Sequence, residues 1–293
     1  GADEVFGGYD LFKEAKIRQF WARRPESRLR PALLKRLYPY LDLASQQTPA
    51  YLASFFGIGL ESPNALTFSH LPRWSTTARC KEFYAADFRH SLTTDALATM
   101  DASLPAAMER WQPFQRAQYL EAKSLMAGYL LSSQGDRMLM SHSVEGRFPY
   151  LDHRVIEFAN RLHPRLKMKV LREKYLLKRA LGRHLPPAIR DRYKQPYRAP
   201  DSAAFTGGNM PESLRELLQP EVLKRSGYFE PERVRRLVQK IDKLGGAVGA
   251  KDNMAFVGIL STQIWHALFV EDRHEQLLGA AAPAPRYHAV NGS

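Results

Sequence analysis

Apolar positions recur along this chain at helical spacing, and alternation of period two is almost absent. The clearest stripe is in residues 250–270, where KDNMAFVGILSTQIWHALFV reads as a long helix that must be buried along most of its length. Ahead of it, PERVRRLVQKIDKL places Pro231 in a first helical turn and Gly245–Gly246 beyond the end, within a run of short helices over 211–243. Asp152 is placed to cap a helix through Leu162 in which Val155, Ile156, Ala159 and Leu162 share one stripe, and Pro164 ends it. A further helix from about Arg172 to His184 turns Tyr175, Leu176, Leu177, Ala180 and Leu181 inward and stops at Pro186–Pro187.

The first hundred residues are less uniform. One or two helices cover 10–40, with Lys13, Lys16, Arg18, Arg23 and Arg24 expected on solvated faces. Gly, Pro, Ser and Asn punctuate 41–100, and the run LASFFGIGL fits a buried helix or a strand equally well. Residues 103–131 return to helix, with Leu120, Met126, Tyr129 and Leu130 on one buried face and Gly135–Asp136 closing it. KQPYRAP, 194–200, is a proline-broken basic loop, and the Ala, Pro and Gly content after about Glu275 predicts a disordered tail over 276–293. The predicted fold is mostly α.

Charge narrows the function. The chain has 293 residues and a net charge of +13. Between Arg161 and Arg198 lie thirteen Lys and Arg against only Glu173 and Asp191, so this segment carries +11 of that excess. An anionic partner is implied, and the clustering favours a local anion site over a diffuse one. Cys80 is the single cysteine, which excludes an intramolecular disulfide and a cysteine-based zinc site; a half-buried structural thiol in a cytoplasmic protein is the expectation. No apolar run approaches the length of a membrane span, and the histidines form no H-x-x-x-H or H-E-x-x-H pattern.

Three groups of residues could carry chemistry. Asp3 and Glu4 beside Gly7–Gly8 offer two carboxylates at a turn that a phosphate can approach, or simply acidic residues at a helix start. Glu145 and Arg147 flank Gly146 and, if extended, point to one side and pair; such an arginine can hold a carboxylate or phosphate, or merely brace a turn. Lys174, expected in the first turn of a helix, opposes the helix dipole unless an anion compensates it, and Lys178 lies one turn on.

Taken together, GADEVFGGY (1–9), SHSVEGRFPYLDH (141–153), KYLLKRALGRHLP (174–186) and RYKQPYRAP (192–200) resemble, in order and spacing, the synthetase domain of glutamine-hydrolysing asparagine synthetases. The resemblance runs from Gly1 to about Val270. It implies that residues 1–275 are the helical C-terminal portion of an α/β ATP-pyrophosphatase-type domain (adenine nucleotide alpha hydrolase-like). In that family ATP and Mg2+ activate a substrate carboxylate, aspartate or a natural-product acid, as an acyl-adenylate, and glutamine-derived ammonia displaces AMP. By resemblance Asp3 and Glu4 belong to the magnesium and pyrophosphate site, Lys194 contacts phosphate, Lys174 stabilises adenylation, and Glu145 and Arg147 sit by the acceptor. A homodimer is among the assemblies it implies, without a membrane.

Four departures stand out. The SGGxDS pyrophosphate loop, the glutaminase cysteine and the acidic residue ahead of GADE are absent from the chain, and Lys178 stands where the family commonly has arginine. The expectation is therefore a C-terminal piece of a longer enzyme, inactive alone and completed by a glutaminase and pyrophosphate-loop segment. The competing expectation is a basic helical module that binds nucleic acid without catalysis.

Overall fold

A computed structural model describes residues 1–38, 49–194, 201–206 and 208–278. Most of the loop expected over 194–200 and the tail beyond Leu278 lie outside the described residues. The chain divides into two compact units, one of Gly1–Trp74 with Asp95–Tyr197 and one of Ser75–Thr94 with Arg198–Ser293. Both are helical. Among the described residues extended pairing is limited to two isolated bridges, Tyr84 with Phe229 and Lys169 with Arg172.

The first unit is built from α1 (Ala2–Phe6), α2 (Asp10–Ala22), α3 (Pro49–Gly57), the first four residues of α4 (Leu71–Arg79), α5 (Pro113–Glu121), α6 (His153–Arg161) and α7 (Tyr175–Leu181). LASFFG thus resolves as helix. As expected, the Asp152 side chain caps α6 by accepting from Arg154 N, and Ala159 packs with Val5 and Phe6 of α1 while Val155, Ile156, Leu162 and Leu177 close around them. The helix after Pro113 runs past Gly135–Asp136: a wide-wound stretch, Ala122–Asp136, follows α5 and continues into Arg137–Ser141. Its expected buried face is not there, since Leu120 is buried but Tyr129 is exposed.

Two charge expectations are overturned in α2. Lys13 and Arg18 are buried instead of solvated. Arg18 donates to the main-chain oxygens of Phe56 (3.0 Å), Phe68 (2.6 Å) and Ile58, and its guanidinium lies 4.0 Å from the Phe68 ring centre. Helix ends and turns carry carbonyls that cannot reach a partner in their own element, and one fork of donors satisfies three of them. Burial pulls the Arg18 pKa down to about 10, so the cation is held by geometry against its desolvation.

The second unit contains α8 (Pro220–Ser226), α9 (Pro231–Lys243) and α10 (Ala250–Phe269). Pro231 is at the start of α9 and Gly245–Gly246 follow its end with positive φ, as the sequence indicates. Phe83, Leu223, Phe229, Val234, Leu237, Ile241, Phe256 and Leu260 form the core of this unit. α10 buries one face only: Ala255, Phe256, Ile259 and Leu260 are inside, whereas Val257, Trp265 and Phe269 are exposed. Total apolarity overstated its burial because a helix presents several faces and only one meets the core. His274–Leu278 is helical, which moves the start of the expected tail beyond 276. Cys80 is half-buried, and burial raises its thiol pKa.

Replacing Arg18 with Met orphans three carbonyls at once, and we expect a loss of about 3–5 kcal/mol in urea unfolding of the protein. A loss under about 1 kcal/mol contradicts the role given to this residue.

Candidate active site

The turn after α1 is short because Gly7 adopts the left-handed conformation (φ 71°) and closes the helix. Gly8 then passes so near the site that a Cβ built on it would stand 1.9 Å from Asp3 Oδ1 and 2.3 Å from Lys174 Cε. Only glycine permits that approach.

Asp3 is the point of convergence. Lys174 Nζ lies 2.7 Å from Asp3 Oδ1 and Lys194 Nζ 3.3 Å from Asp3 Oδ2, with all three side chains roughly a fifth to a quarter exposed. Residues 171 and 191 positions apart are thereby brought to one carboxylate. Lys174 differs from its expected place: α7 begins one residue later, at Tyr175, and Lys174 is the residue before the helix with φ 48°. A side chain in that left-handed region costs on the order of 1 kcal/mol or more, and the surrounding contacts must hold it there. The inward face of α7 is also narrower than expected: Leu177 packs on α6, while Ala180 and Leu181 are exposed.

The holding group is Glu173, only 2% exposed. Its carboxylate takes Lys13 Nζ at 3.1 Å and Lys178 Nζ at 2.9 Å, and it accepts the backbone N–H of Lys194 at 3.4 Å. Lys13 in turn pairs with Asp10 at 3.0 Å. Burial alone would raise the Glu173 pKa, but the hydrogen bond from Lys178 and the charge of Lys13 outweigh it and bring it to about 2. Lys174 and Lys178, one turn apart, therefore do not repel across a gap; each has its own carboxylate. Lys16 secures the preceding turn by donating to the carbonyls of Met168 and Val170, at 3.3 and 2.6 Å.

Glu4 behaves differently from Asp3. It is buried and accepts the Tyr9 hydroxyl at 2.8 Å, which together with burial raises the Tyr9 pKa. Behind it, Gln118 donates to the carbonyls of Glu4 and Val5 at 2.6 and 2.8 Å and accepts from the buried Lys167 at 2.9 Å. Burial lowers the Lys167 pKa to about 8. Glu145 and Arg147 do pair, at 2.9 Å, but at the surface, 67% and 79% exposed.

A cavity of about 370 Å³ opens beside the convergence point, lined by Lys174, Lys178, Arg190, Arg192 and Lys194 with Leu177, Leu181 and Tyr150. It pairs a cationic rim with an apolar wall, a combination suited to a phosphorylated ligand that has a flat apolar part. Among the described residues, no group of three or more His, Cys, Asp or Glu could hold a metal ion unaided. Sequence reasoning missed Glu173, Lys13 and Tyr9; the one available signal for Glu173 was that it is one of two acids in a segment of thirteen bases.

The sequence pattern of the Asn_synthase family, described as asparagine synthase, matches residues 1–267. The chain belongs to the asparagine synthase family. Among its relatives, amidase chyE of Penicillium rubens is 27% identical over 257 residues, covering 82% of this chain and 37% of that protein. Asparagine synthetase [glutamine-hydrolyzing] 1 of Bacillus subtilis is 24% identical over 288 residues, 94% of this chain and 40% of the relative. Amidase chry2 of Gibberella zeae is 28% identical over 160 residues, 53% of this chain and 23% of the relative. The chain thus spans about two fifths or less of these relatives' length. No solved structure matches it. Among the described residues no helix is long and apolar enough to cross a membrane.

Because Glu173 has an ordinary carboxyl pKa of 4.5 when unfolded and about 2 when folded, it stabilises the protein above pH 4.5 and loses that contribution as pH falls toward 2. The difference is worth about 3 kcal/mol. Unfolding free energy followed from pH 6 downward is expected to drop through this window in the native protein and to be flatter in Glu173→Gln; equal slopes contradict the assignment.

Proposed function

We propose that this chain is the helical part of the synthetase domain of an ATP-dependent amidotransferase, which adenylates a substrate carboxylate and passes glutamine-derived ammonia to it. The observation that supports this most is the meeting of Lys174 and Lys194 on Asp3 at the Gly7–Gly8 turn. A substrate carboxylate oxygen attacks the α-phosphorus of ATP, the bond to pyrophosphate breaks, and ammonia then attacks the acyl carbon as AMP leaves. Two lysines beside one point supply the positive charge that the departing pyrophosphate requires. Aspartate is one acceptor in this reading, and an acid from natural-product biosynthesis is the other.

Asp3 suits a magnesium ion. It offers one partly exposed carboxylate next to phosphate-binding cations, and magnesium is commonly held by one or two carboxylates together with substrate phosphates. Magnesium there would neutralise triphosphate charge. Glu4, buried and bound by Tyr9, fits as the tie that fixes the turn more than as a ligand. Glu145 and Arg147 are assigned to the acceptor region on family resemblance alone. The remaining parts, an α/β pyrophosphatase-type sheet with its phosphate loop and a glutaminase, are assigned to residues outside this chain, and a cytoplasmic homodimer is the proposed setting.

A nucleic-acid module is disfavoured by where the basic residues go. Lys167 is buried, and Lys174, Lys178 and Lys194 pair with carboxylates instead of forming a solvated stripe.

In the intact enzyme, Lys174→Met is expected to cut acid-dependent pyrophosphate release by about 100-fold or more, and Lys194→Met by a smaller factor that also raises the KM for ATP. Pyrophosphate release within twofold of the native rate in Lys174→Met would contradict the assignment.

A further inference from the structure

A second cavity, of about 550 Å³, lies against the same turn and shares Lys194 with the first. Its walls carry Tyr9, Tyr38, Trp74 and Tyr129, and it is larger than a four-carbon amino acid would fill. Apart from Lys194, whose ammonium meets Asp3 at 3.3 Å and has further N–H donors, the charged groups on those walls are engaged with the protein itself. Arg73 is gripped by Glu14, Asp10 by Lys13, and the buried Glu121 by His70 Nε2 at 2.9 Å, with the far nitrogen of His70 on Ser69 Oγ at 2.9 Å. His70 also lies against Trp74, ring centres 5.0 Å apart.

Aspartate brings two carboxylates and an ammonium, each of which loses free energy on entering such a cavity unless it meets an opposite charge. An aromatic body instead gains from edge-to-face and offset contacts with tyrosine and tryptophan rings, about 0.5–1.5 kcal/mol per pair beyond area burial. Lys194 at the shared edge, 5.9 Å from the Tyr9 ring centre, supplies a cation for one carboxylate and directs it to the side where Asp3 and Lys174 stand.

We infer that this cavity, whose walls include neither Glu145 nor Arg147, receives the acceptor of the reaction in place of the region that resemblance gives to that pair, and that the acceptor is a monocarboxylic acid with an aromatic body, not aspartate. The inference rests on the adenylating reading above, but its test does not depend on turnover. Saturation-transfer NMR on the intact enzyme, without ATP, with phenylacetate, 3-phenylpropionate and aspartate reads binding alone. The aryl acids are expected to bind in the low-millimolar range or tighter, with aspartate failing to displace them at equal concentration. Tyr129→Ala, at an exposed position, and Trp74→Ala are each expected to weaken the aryl acids by about threefold to tenfold. Absence of aryl-acid binding, displacement by aspartate, or unchanged affinity in Tyr129→Ala would overturn the inference. The adenylating reading fails on a different observation, namely pyrophosphate release by the intact enzyme that no carboxylic acid stimulates.

Discussion

A carboxylate buried between two lysines governs the arrangement of this site. Glu173 receives Lys13 from α2 and Lys178 from α7, and through its own position in the chain it fixes the residue that follows. That residue is Lys174, whose left-handed backbone would be unfavourable without such an anchor. The same carboxylate accepts the N–H of Lys194. One buried anion thus places both lysines that reach Asp3. A buried charge with incomplete pairing would be costly, so the set is retained or lost together.

The rest of the first unit supports that anchor with main-chain contacts to long side chains. Arg18 gathers three carbonyls, Lys16 gathers two, and Gln118 with Lys167 holds the backbone of α1 in place. These are basic or amide groups turned inward, which explains how a chain of +13 can bury cations without forming a continuous basic face. Glycine completes the geometry from the other side: a side chain at Gly8 would occupy the space of the Asp3–Lys174 pair.

Much of this was legible in the sequence, and the failures have physical causes. The α6 cap at Asp152, the apolar stripe through Ala159 and the breaks at Pro231 and Gly245 are local signals, and they appear where expected. Asp3, Lys174 and Lys194 were singled out by motif and meet in space, though their spacing could not show that they meet. Glu145 and Arg147 pair as their spacing allowed, but at an exposed position. Lys13 and Arg18 were expected in water because a charged side chain usually is; their burial depends on acceptors far along the chain, such as Phe56, Phe68 and Glu173, that periodicity cannot reveal. Glu173 was passed over for the same reason.

The most direct test of the central claim is a double-mutant cycle between Glu173→Gln and Asp3→Asn, read as unfolding free energy at neutral pH. No hydrogen bond joins the two carboxylates, and their direct repulsion would make Asp3→Asn cost more once Glu173 is gone, so coupling of the opposite sign reports the lysines that Glu173 holds on Asp3. A coupling energy of about 1 kcal/mol or more is expected, with Asp3→Asn costing less once Glu173 is already gone. Losses that add to within about 0.3 kcal/mol would contradict the account.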